Sequence, residues 1–227
     1  MFVDIVFPNK NEAEFIPIAE KLGYSGICFA YDYQKDVNLI KQRIEGLQKG
    51  TKLNLYLGLV AKPADARKAR NICELVLVEG SEKNHDILEK FPVDALFGSE
   101  FVMKRDAMHY RSSGLNQILC RLAVKNKVII GFNFRMIDEA MNLPMTIGRI
   151  MQNTALCRKY KAETAVFSGA RKAQQMRGIS DLISLMIVFG LNDGDAKESL
   201  KAVSKKIKEN IKKKEPTYIK EGVELVE

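Results

Sequence analysis

The chain has 227 residues, 46% of them hydrophobic and 28% charged, which is enough apolar material for a substantial core and argues against a disordered chain. No stretch approaches the roughly 20 apolar residues that span a bilayer, and the opening MFVDIVFP has no basic leader before an apolar run, so no membrane and a cytoplasmic location are expected. The net charge of +8 is uneven: residues 1–100 are close to neutral and the basic surplus falls in residues 101–227.

Strands and helices alternate along the chain. Residues 3–7 (VDIVF) are β-rich, and the helix after them carries Phe15, Ile18, Ala19 and Leu22 at helical spacing up to Gly23. GICFAY (26–31) is the second predicted strand, followed by a helical stripe of Val37, Ile40, Ile44 and Leu47, and LNLYLGLV (53–60) is the third. A short basic helix over 62–71 leads to ELVLVEG (74–80), then a helix through Ile87, Leu88 and Phe91, then DALFGS (94–99). Leu115, Ile118, Leu119, Leu122 and Ala123 mark a core-facing helix, ahead of a sixth strand, VIIGFNF (128–134). A long helix, MTIGRIMQNTALCRKY (145–160), precedes the seventh strand, AVFSG (165–169). ISDLISLMIVFG (179–190) reads as a helix after the capping Ser180 and Asp181. A last stripe runs through Ala196, Leu200, Val203, Ile207 and Ile211, and its lysines read as a solvated face.

Near-continuous apolar strands separated by helices imply a parallel sheet covered by helices, either a (β/α) barrel or a doubly wound sheet. Seven regularly spaced units, with no Gly-x-Gly-x-x-Gly after the first strand, favour an α/β TIM-like barrel of seven parallel strands. It is expected to fill residues 1–214 as one domain, with 215–227 as a mobile C-terminal tail. Cys28, Cys73, Cys120 and Cys157 are widely spaced among apolar neighbours and read as buried free thiols.

In such a barrel, functional groups gather on the loops after the strands' carboxyl ends. Two of these loops carry arginines: GSEFVMKRDAMHYRSSG (98–114), well beyond the usual connection length, and SGARKAQQMRG (168–178). In the first, Ser113 is expected to cap the next helix and Gly114 to let a ligand approach the backbone. Arg111 and the free amides of that helix end would then hold a phosphate. Catalytic readings are thinner. Asp4, Asp32, Glu79 and Glu100 stand near strand ends as candidate metal ligands, His85 reads as a surface residue, and His109 is the one nearby base for a nucleophile at Ser112 or Ser113.

MHYRSSGLNQILCRLAVKNKVIIGFNF (108–134) and AVFSGARKAQQMRGISDLISLMIVFGLNDGDAKESL (165–200), together with VDIVFP and GYSGICF near the start, closely resemble the family of ribonuclease P protein component 3, the archaeal relative of the eukaryotic thirty-kilodalton subunit. The resemblance implies a seven-stranded TIM-like barrel inside a ribonucleoprotein whose RNA, with magnesium, removes the 5′ leader of precursor tRNA. It implies three partners: the ribonuclease P RNA, precursor tRNA through the complex, and a small α/β ribonuclease P protein subunit. No catalytic residue, metal or cofactor is expected on this chain. Matched positions are Arg105, His109, Arg111, Arg171 and Arg177 as RNA-binding residues and Asp181 as a site-shaping one; Ser113, Lys125 and Lys159 join them as further RNA-binding candidates. The barrel is also similar to metal-dependent phosphoesterases of the polymerase and histidinol phosphatase type, with Asp4, Asp32 and Glu79 as ligands in that alternative. The His-x-His of those enzymes is absent, Asp4 and Val6 standing near its place.

Overall fold

The computed structural model describes residues 1–215 and the backbone of 218–220 and 223–224. Seven parallel strands follow one another in chain order: β1 (Val3–Val6), β2 (Gly26–Asp32), β3 (Asn54–Val60), β4 (Leu75–Glu79), β5 (Ala95–Phe97), β6 (Ile129–Asn133) and β7 (Thr164–Phe167). Their helices are α1 (Glu12–Lys21), α2 (Asn38–Gln48), α3 (Ala66–Ile72), α4 (Asn84–Lys90), α5 (Gln117–Lys125), α6 (Phe134–Asp138), α7 (Leu143–Tyr160), α8 (Ile179–Val188) and α9 (Asp193–Lys212). Among the described residues no helix is long and apolar enough to cross a membrane. All four cysteines are free and buried.

Strand alternation divides the core in two. Val3 and Ile5, Cys28 and Ala30, Leu75 and Leu77, and Ala95 and Phe97 form an inner cluster, while Val6, Phe29, Leu59, Val78, Ile130 and Val166 pack outward with the helices. The ends of the sheet meet just past β7. The Gly169 amide donates to the Ile5 carbonyl (3.0 Å) and the Phe7 amide to the Ala170 carbonyl (2.8 Å). The Ser168 amide and hydroxyl donate to the Asp4 carboxylate at 2.8 and 2.5 Å. Asp4 is therefore a buried seam residue, and burial pushes its carboxyl up to about 6 against the pull of Ser168.

Three expectations are corrected. The helix after the long loop begins at Gln117, and its cap is Asn116, whose side chain accepts from the Ile118 and Leu119 amides, both at 2.9 Å; Ser113 caps nothing. The end of β6 runs without a loop into α6, where the sequence pattern had put Phe134 in the strand and assigned no element to 135–144. The lysine-rich α9 is no free surface helix: its Ala202, Val203 and Ile207 belong to the inner cluster. The same helix reaches the backbone just ahead of β1, β4 and β6. Ser204 donates to the Met1 carbonyl (3.0 Å), Asn210 to Glu74 (3.0 Å), and the buried Lys206 to Lys127 (2.6 Å). It closes the amino-terminal end of the barrel, and its outer lysines, such as Lys197 and Lys201, pair with acids at the surface. Residues 216–217, 221–222 and 225–227 of the expected tail, 215–227, lie outside the described residues; within it, Tyr218–Lys220 and Val223–Glu224 pair antiparallel.

Candidate nucleic-acid interface

With α9 at the amino-terminal end, the connections at the carboxyl ends of the strands remain open. The β5–α5 connection is the longest of them and lacks repetitive structure between a 3-10 turn at Ser99–Phe101 and Gln117. Polar side chains from two helices hold it down. Arg149 of α7, 1% exposed, donates from Nε to Asp106 (2.7 Å) and from Nη1 to the carbonyls of Glu100 (2.9 Å) and Met103 (2.6 Å). Asp106 also accepts from the Ser112 amide (2.9 Å). Burial would raise its carboxyl, but Arg149, that amide and Arg111 outweigh burial and hold it below the usual carboxylate range. Asn153, one turn after Arg149, donates to the Ser113 carbonyl (2.9 Å), and Asn84 of α4 donates to the Gly114 carbonyl (3.1 Å).

Gly114 (φ +78°) is needed here because a Cβ on it would lie 2.0 Å from the Ser99 carbonyl oxygen. The close approach that its lack of a side chain permits is thus internal to the fold, between the loop and Ser99. Ser113 is 1% exposed with an unpartnered hydroxyl, and His109 stands in solvent, so no Ser–His pair forms. What the braced loop presents outward is Arg105, His109, Arg111, Met108 (91% exposed) and Tyr110 (70%). Arg111 lies along α7, with Nη1 donating to the Gly148 carbonyl (3.2 Å); its remaining N–H groups are left for a ligand.

The β7–α8 connection stands at the same end of the barrel. The amides of Arg171 and Lys172 donate to Gln175 Oε1 (2.9 and 3.0 Å), fixing the turn and leaving the Arg171 side chain exposed. Arg177 lies over the Phe134 ring, 4.6 Å from its centroid, and its carbonyl accepts from the Tyr24 hydroxyl (2.8 Å). Asp181 accepts from the Gly178 amide (3.3 Å) and so shapes the start of α8. Arg105, His109, Arg111, Arg171 and Arg177 thus share one end of the barrel, on either side of the β6–α6–α7 segment. Lys125 and Lys159 lie elsewhere, at the carboxyl-terminal ends of α5 and α7, where Lys159 and Arg121 flank the Tyr160 ring (5.6 and 5.4 Å).

Sequence reasoning missed Arg149, counting it only among the basic residues. The available signal was its place with Thr146, Ile150, Asn153 and Cys157 on one face of α7, a buried stripe facing a long loop whose acids are Glu100 and Asp106. The three carboxylates of the phosphoesterase alternative do not come together as a set: Asp32 and Glu79 line one cavity at the carboxyl ends of the strands, but Asp4 stands apart at the buried seam. Asp4 is engaged by Ser168, and the one group of potential metal ligands among the described residues is His85, Asp86 and Glu89 on the surface of α4. Asp86 there already pairs with Lys90 (2.6 Å).

A family model described as RNase P subunit p30 matches residues 1–215. The chain belongs to the RNase P subunit p30 family. Similar members of known description are each named ribonuclease P protein component 3. That of Methanosarcina mazei is 29% identical over 94% of this chain and 89% of its own length. That of Methanosarcina acetivorans is 28% identical over 96% and 91%, and that of Methanocaldococcus jannaschii 26% over 80% and 79%. Among solved structures, a chain of an archaeal ribonuclease P determined by cryo-electron microscopy with mature tRNA superimposes with a TM-score of 0.85 at 21% identity, covering 99% of this chain and 98% of that one. The seven-stranded barrel is therefore the fold of this p30-family chain and of that subunit alike.

Proposed function

We propose that this p30-family chain is a protein subunit of ribonuclease P, binding and supporting the RNA that cleaves the 5′ leader from precursor tRNA. Family membership over residues 1–215 carries the reading, and the braced loop supplies a physical means. Arg149 and Asp106 fix the loop backbone from beneath, so Arg105, His109 and Arg111 meet a partner with little further loss of freedom. Guanidinium groups on such a platform suit backbone phosphates, and the exposed Tyr110 ring suits a base. Arg171 and Arg177 extend the same basic end.

In this reading the chain binds and orients the RNA and performs no chemistry of its own. Cleavage belongs to the RNA, which holds the magnesium. Precursor tRNA is reached through the complex, and a small α/β protein subunit is a further partner. Reconstituting precursor-tRNA cleavage with and without this chain tests the proposal: its omission is expected to lower the rate at limiting magnesium, and an unchanged rate overturns it.

A further inference from the structure

At the carboxyl ends of the strands the barrel interior opens into a mouth that the loop contacts leave unused. Strand alternation aims Asn133 of β6 inward after Ile129 and Gly131, Asp32 inward after Ala30, Glu79 after Leu77 and Phe7 after Ile5. These residues, with Phe97, Phe101 and Arg171, line a cavity of about 480 Å³, within the range of about 300–1,000 Å³ usual for small-ligand sites.

Only part of the polar lining is paired: Arg135 and Glu139 also face this cavity, but they are joined to each other (2.6 Å), and Arg135 Nε donates to the Gly169 carbonyl (2.8 Å), while other polar groups there stay open. Asn133 is 0% exposed; its Oδ1 accepts from the Met136 amide (3.4 Å) at the start of α6, which fixes the amide's orientation and leaves Nδ2 a buried donor without a partner. Room is kept for this side chain by Gly169 (φ +63°), where a Cβ would lie 1.9 Å from Oδ1. Asp32 and Glu79 make no hydrogen bond or ion pair among the described residues, and neither does the Arg171 guanidinium at the rim. Glu79 is on the Asn133 side of the mouth: its Cγ and the Met136 methyl both approach Gly98, at 3.6 and 3.1 Å from where a Cβ would be.

A ligand that satisfies this set must present adjacent N–H donors to a carboxylate, an acceptor to Asn133 Nδ2, a flat face to phenylalanine rings and an anion to Arg171. Guanine presents N1–H and the N2 amine side by side with O6 next to them, and its nucleotide carries the anion. Adenine and cytosine set an acceptor beside their amine, which a carboxylate repels, and uracil places one N–H between two carbonyls. A lysine or arginine side chain from a protein would suit the carboxylates, yet it would leave Nδ2 unfilled and oppose Arg171. We propose that the barrel mouth binds one unpaired guanine nucleotide, with Glu79 on N1–H and N2, Asn133 on O6 and Arg171 on the phosphate. The proposal extends RNA recognition to a second place on the chain, and free mononucleotides report on it, so its failure leaves the loop's role standing.

The test is an amide NMR titration of the full chain with each of the four nucleoside 5′-monophosphates, with inorganic phosphate, and with N-acetylarginine amide. The guanine nucleotide is expected to shift Gly80, Gly98 and Gly169 and to bind at least about tenfold more tightly than the others, as a site that must pair its polar groups does. Glu79→Gln, at an unpartnered side chain, is expected to weaken it at least about tenfold with the remaining spectrum unchanged, and Asn133→Asp, which turns the donor into an acceptor, to do the same. Equal affinity for all four nucleotides, or the same shifts with phosphate alone, overturns the proposal. So does tighter binding of the arginine amide, which would assign the mouth to a protein side chain, or a Glu79→Gln protein that binds as the parent does.

Discussion

Arg149 reaches the long loop from beneath while Arg111 leaves it toward solvent, so two residues of one type carry different duties. Replacing Arg149 by Met removes bonds to Asp106, Glu100 and Met103 while keeping most of the volume. Because Asp106 is open enough to regain water, the expected loss is about 1–3 kcal/mol in urea denaturation, with faster proteolysis within residues 102–112. Arg111→Ala should leave both unchanged, since its side-chain hydrogen bond among the described residues is a long one, 3.2 Å to the Gly148 carbonyl. Glu100 adds a pH dependence. It is buried, Oε1 has no partner, and burial raises its carboxyl from 4.5 to about 7. A folded-state value above the unfolded one means the native protein holds this proton more tightly, so the contribution of Glu100 to stability is fully present below pH 4.5 and is lost as pH rises through about 7. Asp4, raised from 3.8 to about 6, contributes with the same sign over a lower window. Glu100→Gln should therefore be the more stable protein at pH 7.5 by up to roughly 3 kcal/mol, with the gap closing near pH 4.5. A gap in urea denaturation that does not change with pH would refute this.

At the scale of elements, the start of α5 separates what residue types suggest from what geometry permits. Ser113 has a capping side chain and stands before an apolar periodic run, but Gly114 at φ +78° and the buried Leu115 carry the chain past Ser99 before a helix can begin. Asn116 has both an extended backbone (φ −148°, ψ 179°) and the free Ile118 and Leu119 amides within reach. Asn116→Ala is accordingly expected to cost about 1 kcal/mol in thermal or urea unfolding, whereas Ser113→Ala, which removes an unpartnered hydroxyl, should cost little or stabilise. Equal losses would mean that the helix start is shared between them. The strands were legible because a parallel strand buried on both faces reads as an apolar run bounded by turns. Two features were not. α6 begins at Phe134, directly after the last residue of β6, with no turn residue between to mark the change. The inward stripe of α9 has the spacing of any amphipathic helix, and only the assembled barrel shows that Ala202, Val203 and Ile207 meet strand interiors.

Across the whole molecule, a basic surplus visible in the sequence resolves into separate surfaces. Arg105, Arg111, Arg171 and Arg177 lie at the open end, Lys125, Lys159 and Arg121 near the amino-terminal ends of the strands, and part of the lysine content of α9 is taken up in closing the barrel. Linear charge counting found the clusters but not the end to which each belongs, because α5 and α7 both run the length of the barrel and carry basic residues at their far ends. This separation makes the RNA-facing end measurable. Each charge that meets a phosphate releases counterions, steepening the dependence of log affinity on log salt by roughly 0.9 for a duplex and 0.7 for a single strand. If the open end faces the RNA, the double variant Arg111→Ala, Arg171→Ala should flatten that slope by about 1.4–1.8 relative to the parent chain. Lys125→Ala with Lys159→Ala removes the same net charge from the other end and should leave the slope unchanged within error, so the comparison cancels any effect of overall charge. Filter-binding or fluorescence titrations on the ribonuclease P RNA across a range of salt would decide it. A flatter slope only in the lysine pair would move the interface to the end that α9 closes, and equal flattening in both would mean that the RNA responds to the molecule's net field and docks on neither end specifically.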